Sequence, residues 1–298
     1  MRRLVAFLLA ASAPLAWATN VVASRVLVTS GVNPFALTAV RWALAALLMV
    51  VYSLARGLGV PVGRRLLLAG LLGITMFNNL LYLALGYAPA ALVGLVFGLL
   101  PAVTMLMARA LGVERGDKVL AVAAVVGLAG VALLEAEGLR SPGTMEWLGV
   151  LLALADVAVW ALYTIESRRL TQGLHPLAAL TGSTVLSTPF NTVAALPWLG
   201  QSIAALGDPL LLSLLLYIAA VPGFLAYLAW FHAVKELGPT TTSLFVDLLP
   251  PATLLLAVVT LGEKPRGLQL AGTVMILLSL ALAARRQLQL ASQRAGAE

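Results

Sequence analysis

The chain predicts an all-α integral membrane protein of ten transmembrane helices, built as two five-helix repeats inserted in opposite orientations. Three observations predict it. Apolar residues make up 61% of the 298 and charged residues only 10%, too little polar surface to cover a water-soluble globule. The apolar residues fall in runs of the length a bilayer requires, about 20 residues at a rise of 1.5 Å each. And the second half of the chain repeats the plan of the first.

Ten runs qualify: 4–28, 34–55, 66–86, 90–111, 118–136, 146–168, 176–197, 209–234, 240–261 and 267–285. The first imitates a cleaved secretory signal, with a basic head, an apolar stretch and Ala16-Trp17-Ala18. Trp17 and Arg25 have counterparts in the second half, so the run is expected to stay as a spanning helix. Gly70, Gly73, Gly94, Gly98, Gly127 and Gly130 in the third to fifth runs allow close helix approach. Prolines inside runs need a local remedy for the backbone groups they leave unpaired. Pro14, Pro101, Pro189, Pro222 and the pair Pro250-Pro251 are of this kind. Of these, Pro101 and Pro251 are matched between the halves, and Pro101, Pro250 and Pro251 are expected to mark hinges or cavity walls. Gly262-Glu263 joins the last two runs, and 199–207 reads as one of the longer connections.

The repeat is visible residue by residue. Pro89, Leu99, Pro101, Ala102, Leu106 and Leu111-Gly112 recur 150 positions later as Pro239, Leu249, Pro251, Ala252, Leu256 and Leu261-Gly262. Trp17 and Ser24-Arg25 recur 143 positions on as Trp160 and Ser167-Arg168, and Gly31-x-x-Pro34 returns as Gly173-x-x-Pro176. The expected organisation is a first repeat over 1–137, a linker over 138–145, a second repeat over 146–288 and a tail over 289–298. Five helices per repeat is an odd number, so the second copy must enter the membrane from the side opposite to the first.

The formal charge of +7 sits at helix ends rather than on one patch, which argues against a nucleic-acid partner. With the N-terminus inside, fourteen of the 19 Lys and Arg, from Arg2 and Arg3 to Arg294, fall on the cytoplasmic side, against Arg140, Lys264 and Arg266 opposite. Both termini are therefore expected in the cytoplasm. The absence of Cys excludes disulfides and thiolate metal sites, and His175 and His232 are too few for a histidine cluster. No glycine-rich phosphate loop is present, so neither ATP nor another cofactor is expected. The partners expected are a small-molecule solute and membrane lipid.

The two-copy plan, the stretch NPFALTAVRWALAALLMVV over 33–51, the tryptophan early in each copy, and PPATLLLAVVTLGEKPRGLQLAG over 250–272 resemble the EamA branch of the drug/metabolite transporter superfamily. The likeness spans the whole chain. Gly112-Val113-Glu114 departs from it, because the second copy has Gly262-Glu263-Lys264 and the carboxylate is shifted by one residue. That leaves the role of Glu114 open. The resemblance implies the ten-helix fold of that family and a secondary exporter of small metabolites, often amino acids, in the inner membrane, working by alternating access and not an enzyme.

Ionisable groups at bilayer depth are costly and usually face a bundle interior, so they locate candidate sites. Asp156 lies about 15 Å into the sixth run, with Trp160 and Tyr163 on the same helical face. The three suit a wall for an aromatic or amine-bearing solute. Asp247, three residues before Pro250, reads equally as a proton-coupling group or as a partner for freed backbone amides; Asp156 is the other coupling candidate. Asn78 and Asn79, with Tyr82 one turn on, form the largest uncharged polar group, of which one asparagine is expected to face the solute. Trp17 with Asn20, and Tyr227 with Trp230, complete the candidate wall. Arg41 is the candidate partner for a solute carboxylate, with snorkelling to the interface as the other reading. A lipid flippase or a non-catalytic membrane subunit is the alternative function. An intramembrane aspartyl protease lacks the glycine context it needs, since the acids sit in Ala155-Asp156-Val157 and Val246-Asp247-Leu248.

Overall fold

A computed structural model describes residues 2–139, 143–261 and 264–295; Arg140 and the pair Gly262-Glu263 lie outside the described residues. It is helical throughout its ordered elements, with no strand among the described residues. Ten passages follow one another: α1 Arg2–Thr29, α2 Pro34–Ala55, α3 Arg64–Tyr87 and α4 Ala90–Ala110, and α5 Lys118–Glu135. The second half gives α6 Glu146–Gly173, α7 Pro176–Ala205, α8 Pro209–Leu237 and α9 Pro239–Val259, and α10 Gly267–Ala295. Four passages open on proline at N1 or N2, a position whose missing N–H has no helical partner anyway. Three of these are capped by the residue before: Asn33, His175 and Asp208 each accept the backbone N–H two residues on.

Among the described residues nine passages are long and apolar enough to cross a membrane. The exception is α7, whose Thr and Ser content lowers its apolarity. Several of its hydroxyls are satisfied locally: Thr181, Thr188 and Thr192 donate to the carbonyls of Leu177, Thr184 and Thr188, four residues back, at 2.8, 2.8 and 3.2 Å. Such return bonds lower the cost of laying a hydroxyl-rich helix against α2; the buried Thr184 hydroxyl and Asn191 amide of α7 have no partner among the described residues. The helix also runs on to Ala205, so the stretch from Leu199 is helical rather than the connection expected there. Likewise α10 continues to Ala295, beyond the expected tail boundary.

Four passages are interrupted, in matched pairs. In α3 the backbone is π-helical over Leu71–Met76, and in α8 over Ala219–Leu225, 148 positions later. In α4 the helix breaks between Phe97 and Leu100, and in α9 it tightens to a 3-10 turn over Phe245–Leu248. Pro101 and the pair Pro250-Pro251 lie in the first turn of the helix that resumes after each break. The irregular backbone thus stands immediately before the prolines in both halves.

The main packing partners of each half lie in the other: α5 with α10, α2 with α7, α1 with α8, α3 with α6, and α4 with α9. Exchanging the halves leaves this pairing unchanged. The α5–α10 contact is glycine on glycine. A Cβ on Gly130 would stand 2.8 Å from the Gly272 carbonyl oxygen, and one on Gly272 would stand 2.4 Å from the Gly130 oxygen, so both backbones meet where no side chain fits.

Candidate functional site

The largest core cluster among the described residues lies between the halves, and aromatic side chains of six passages meet in it. Trp17 of α1 has its ring centroid 5.3 Å from Trp160 of α6, 5.6 Å from Tyr227 and 5.3 Å from Trp230 of α8. Trp160 also meets Tyr163 at 5.2 Å and Phe77 of α3 at 4.3 Å, and Trp42 of α2 meets Tyr227 at 4.8 Å. Most of these pairs are tilted or edge-on, the arrangement the ring quadrupoles favour, at about 0.5–1.5 kcal/mol each beyond burial. The rings come together because the backbone yields to them. Gly73, inside the π-helical turn of α3, lies against the face of Tyr163, where a Cβ would stand 2.4 Å from the ring. The π-turns also lend carbonyls across the interface. Trp17 Nε1 donates to Pro222 O at 3.2 Å, and Tyr227 OH approaches Gly73 O at 3.5 Å, each bond running from one half to the other.

Asp156 is fully buried one turn before Trp160, and neither carboxylate oxygen has a hydrogen-bond partner among the described residues. The same holds for the indole N–H groups of Trp42, Trp160 and Trp230 and for the Tyr163 hydroxyl. Buried polar atoms are nearly always paired in native proteins. A group of unpaired donors beside an unpaired carboxylate is the complement of a small molecule bearing both an ammonium and acceptor oxygens.

Arg41 supplies the opposite charge. It is 4% exposed, so the side chain is inside the bundle and does not snorkel. Its guanidinium donates to Asn20 Oδ1 at 3.2 Å and Asn78 Oδ1 at 2.5 Å, and lies 5.1 Å from the Trp42 ring centroid. Its hydrogen-bond partners are neutral amides, and no carboxylate among the described residues pairs with it. Trp42, against which Arg41 lies, and Trp160, one turn after Asp156, both pack on the Tyr227 ring, at 4.8 and 5.7 Å, which brings the two residues to one aromatic cluster.

The asparagine pair divides. Asn78 is buried and turned to Arg41, with its own Nδ2 returned to Ile74 O at 2.8 Å, while half-buried Asn79 bonds Thr75 O of its own helix at 2.8 Å. Tyr82 is half-buried beyond them. Asp247 is not among these groups. It is 2% exposed and sits in a second cluster between α1, α5, α9 and α10, its Oδ2 2.4 Å from where a Cβ on Gly127 would stand. Pro101, Pro250 and Pro251 belong to the walls of α4 and α9, not to the enclosure.

Trp42 and Phe77 were not singled out by the sequence. The signal for Trp42 was its place beside Arg41; Phe77 immediately precedes the asparagine pair. No group of three or more His, Cys, Asp or Glu that might hold a metal occurs among the described residues.

The model of the EamA-like transporter family matches residues 4–135 and again 147–285. An uncharacterized transporter, YyaM, of Bacillus subtilis strain 168 is 26% identical over 216 residues, 71% of this chain and 70% of its own. The aromatic amino acid exporter YddG of Ancylobacter novellus is 33% identical over 176 residues, 57% of this chain and 60% of its own. A solved crystal structure superimposes with a TM-score of 0.78 at 24% identity, covering 93% of this chain and 97% of that one, a likeness of fold alone. This multi-pass membrane protein belongs to the EamA-like transporter family.

Proposed function

We propose that this transporter exports amino acids or closely related metabolites across the cytoplasmic membrane, by alternating access at the enclosure between its two halves. The observation that carries the reading is that Arg41 and Asp156, a buried cation without a counter-ion and a buried carboxylate without a donor, both adjoin the aromatic cluster around Tyr227. Arg41 takes the solute carboxylate and Asp156 its ammonium. Trp17, Trp160, Tyr163, Tyr227 and Trp230 enclose its side chain, and Asn20, Asn78, Asn79 and Tyr82 complete the polar wall. The exporter name borne by the Ancylobacter relative agrees with a solute of this kind.

Two repeats, over 1–137 and 146–288, inserted in opposite senses with both termini cytoplasmic, fit the double family match and a helix pairing that survives exchange of the halves. Pro101 and the pair Pro250-Pro251 then stand beside matched breaks that serve as hinges. Asp247, remote from the solute groups, is the candidate for proton coupling. The test is counterflow in proteoliposomes: saturable exchange of labelled amino acid in the wild type, lost in Asp156→Asn at unchanged folded yield. Absence of exchange for all amino acids, amines and nucleosides would overturn the reading in favour of lipid movement.

A further inference from the structure

Glu114 belongs to the connector between α4 and α5, outside the spans, yet its side chain is engaged with the other half. Its Oε2 accepts the Thr240 backbone N–H at 3.1 Å and the Thr240 hydroxyl as well. Thr240 stands in the first turn of α9, where backbone amides lack partners in their own helix. Gly238, ahead of that turn, has no side chain to supply the cap; it has φ +85°, and a Cβ there would stand 2.0 Å from Glu114 Oε1. The residue is glycine both for its backbone and to admit the carboxylate.

The other end of the same connector is also fastened. Arg169 of α6, paired with Glu166 at 2.5 Å, donates to Leu111 O at 3.1 Å. On this face of the bundle, which carries both termini, Arg286 pairs with Asp117 at 2.7 Å and Arg3 donates to Gln287 O. Among the described residues four ties therefore join the halves here. On the opposite face the ties among the described residues are the Asn33 N–H to Ser202 Oγ at 3.1 Å and the pair Arg266–Glu137.

We propose that Glu114 is the latch of the terminus-bearing face: its carboxylate must leave Thr240 for the halves to part there, and its charge sets how readily it leaves. The inference rests on the alternating-access reading. Burial raises the Glu114 carboxyl above the ordinary carboxylate range, against the lowering pull of the two Thr240 bonds and of Arg168. The charged groups on the surrounding elements are Arg168, Arg169 and Glu166 of α6, Lys235 and Glu236 of α8, Arg109 at the end of α4, Arg115 and Asp117 of the connector, and Arg286 of α10. An exposed carboxyl in the open state returns to its ordinary range, so the latched state holds the proton more tightly. Acid therefore favours the latch, and rising pH through the raised value favours opening.

The chain contains no cysteine, so a single introduced thiol reports unambiguously. Ser243, on the first turns of α9, is fully buried; in a Ser243→Cys background, labelling by a membrane-impermeant maleimide from the terminus-bearing face measures opening. Glu114→Ala is expected to raise the labelling rate about tenfold, the equivalent of losing one charge-assisted bond. Glu114→Gln keeps an acceptor oxygen without a charge to bury; it should label no faster than the parent and lose the parent's rise with pH. A packing role alone would shift both variants in the same direction and leave the pH profile of Glu114→Gln intact, and either result overturns the latch. The second arm is Glu114→Cys with Thr240→Cys: oxidation should stop exchange reversibly, and undiminished exchange in the cross-linked protein contradicts the proposal. The labelling arm uses no solute, so it stands apart from any failure to find exchange of amino acids.

Discussion

Asp156 and Asp247 are the same residue, equally buried, in the interior of spanning helices of the same half, and their surroundings differ. Asp156, with both oxygens unpaired, stands one turn before Trp160, whose own indole N–H is unpaired and whose ring packs on Tyr163 and Tyr227. Asp247 Oδ2 is unpaired too, but what stands against it is Gly127 and Ser279, whose hydroxyl already donates to Ala123 O at 2.8 Å, and no ring of the aromatic cluster. Burial alone does not mark a solute site. The donor and acceptor inventory around the buried charge does, because a solute can bind only where it replaces missing partners.

The comparison breaks first at the carboxylates. Asp156→Asn should weaken solute binding roughly 100-fold, the loss expected when one partner of a buried ionic contact is removed. Asp247→Asn should leave binding within about twofold while altering any response to a proton gradient. Calorimetric titration of both variants decides, and equal losses would erase the distinction.

Glycine substitutions sharpen the same contrast. Gly127→Ala places a methyl 2.4 Å from Asp247 Oδ2, and Gly73→Ala places one 2.4 Å from the Tyr163 ring. Each should destabilise by about 1–3 kcal/mol, the usual cost of overpacking, seen as a lower melting temperature. Only Gly73→Ala should also weaken solute binding, since only it displaces a ring of the enclosure.

Smaller still is Trp17→Phe, which keeps a ring but removes the bond to Pro222 O. A loss of about 0.5–1.5 kcal/mol in stability is expected, with exchange slowed. Smallest is Thr188→Val in α7. Its hydroxyl serves only its own helix, so stability should stay within about 0.5 kcal/mol and exchange should not change.

The passages themselves were legible in the sequence because span length and apolar composition are set locally. α7 shows the limit: read as a run over 176–197, it is left out of the nine passages apolar enough to span, and several of its hydroxyls turn back on their own carbonyls. The π-turns were not legible, although Gly73 and Pro222 sit inside them. Such turns arise where packing on a neighbouring ring outweighs the regular ladder, and only the assembled bundle reveals that neighbour. Depth could be counted from helical rise, so both aspartates were found. Which helices faced each of them was not, since rotation about a helix axis is fixed by tertiary contacts. That is why Trp42 and Phe77 were not singled out. Glu114 was noticed for breaking the repeat, but its partner lies 126 positions away.

The central claim is that Arg41 holds the solute carboxylate and Asp156 its ammonium. Binding of a zwitterionic amino acid, its carboxamide and its N-acetyl derivative to the wild type, Arg41→Gln and Asp156→Asn tests it directly. The account predicts crossed sensitivity: Arg41→Gln weakens ligands with a carboxylate but not the carboxamide, and Asp156→Asn weakens ligands with an ammonium but not the N-acetyl derivative. Uniform weakening of all three ligands by both variants would contradict it.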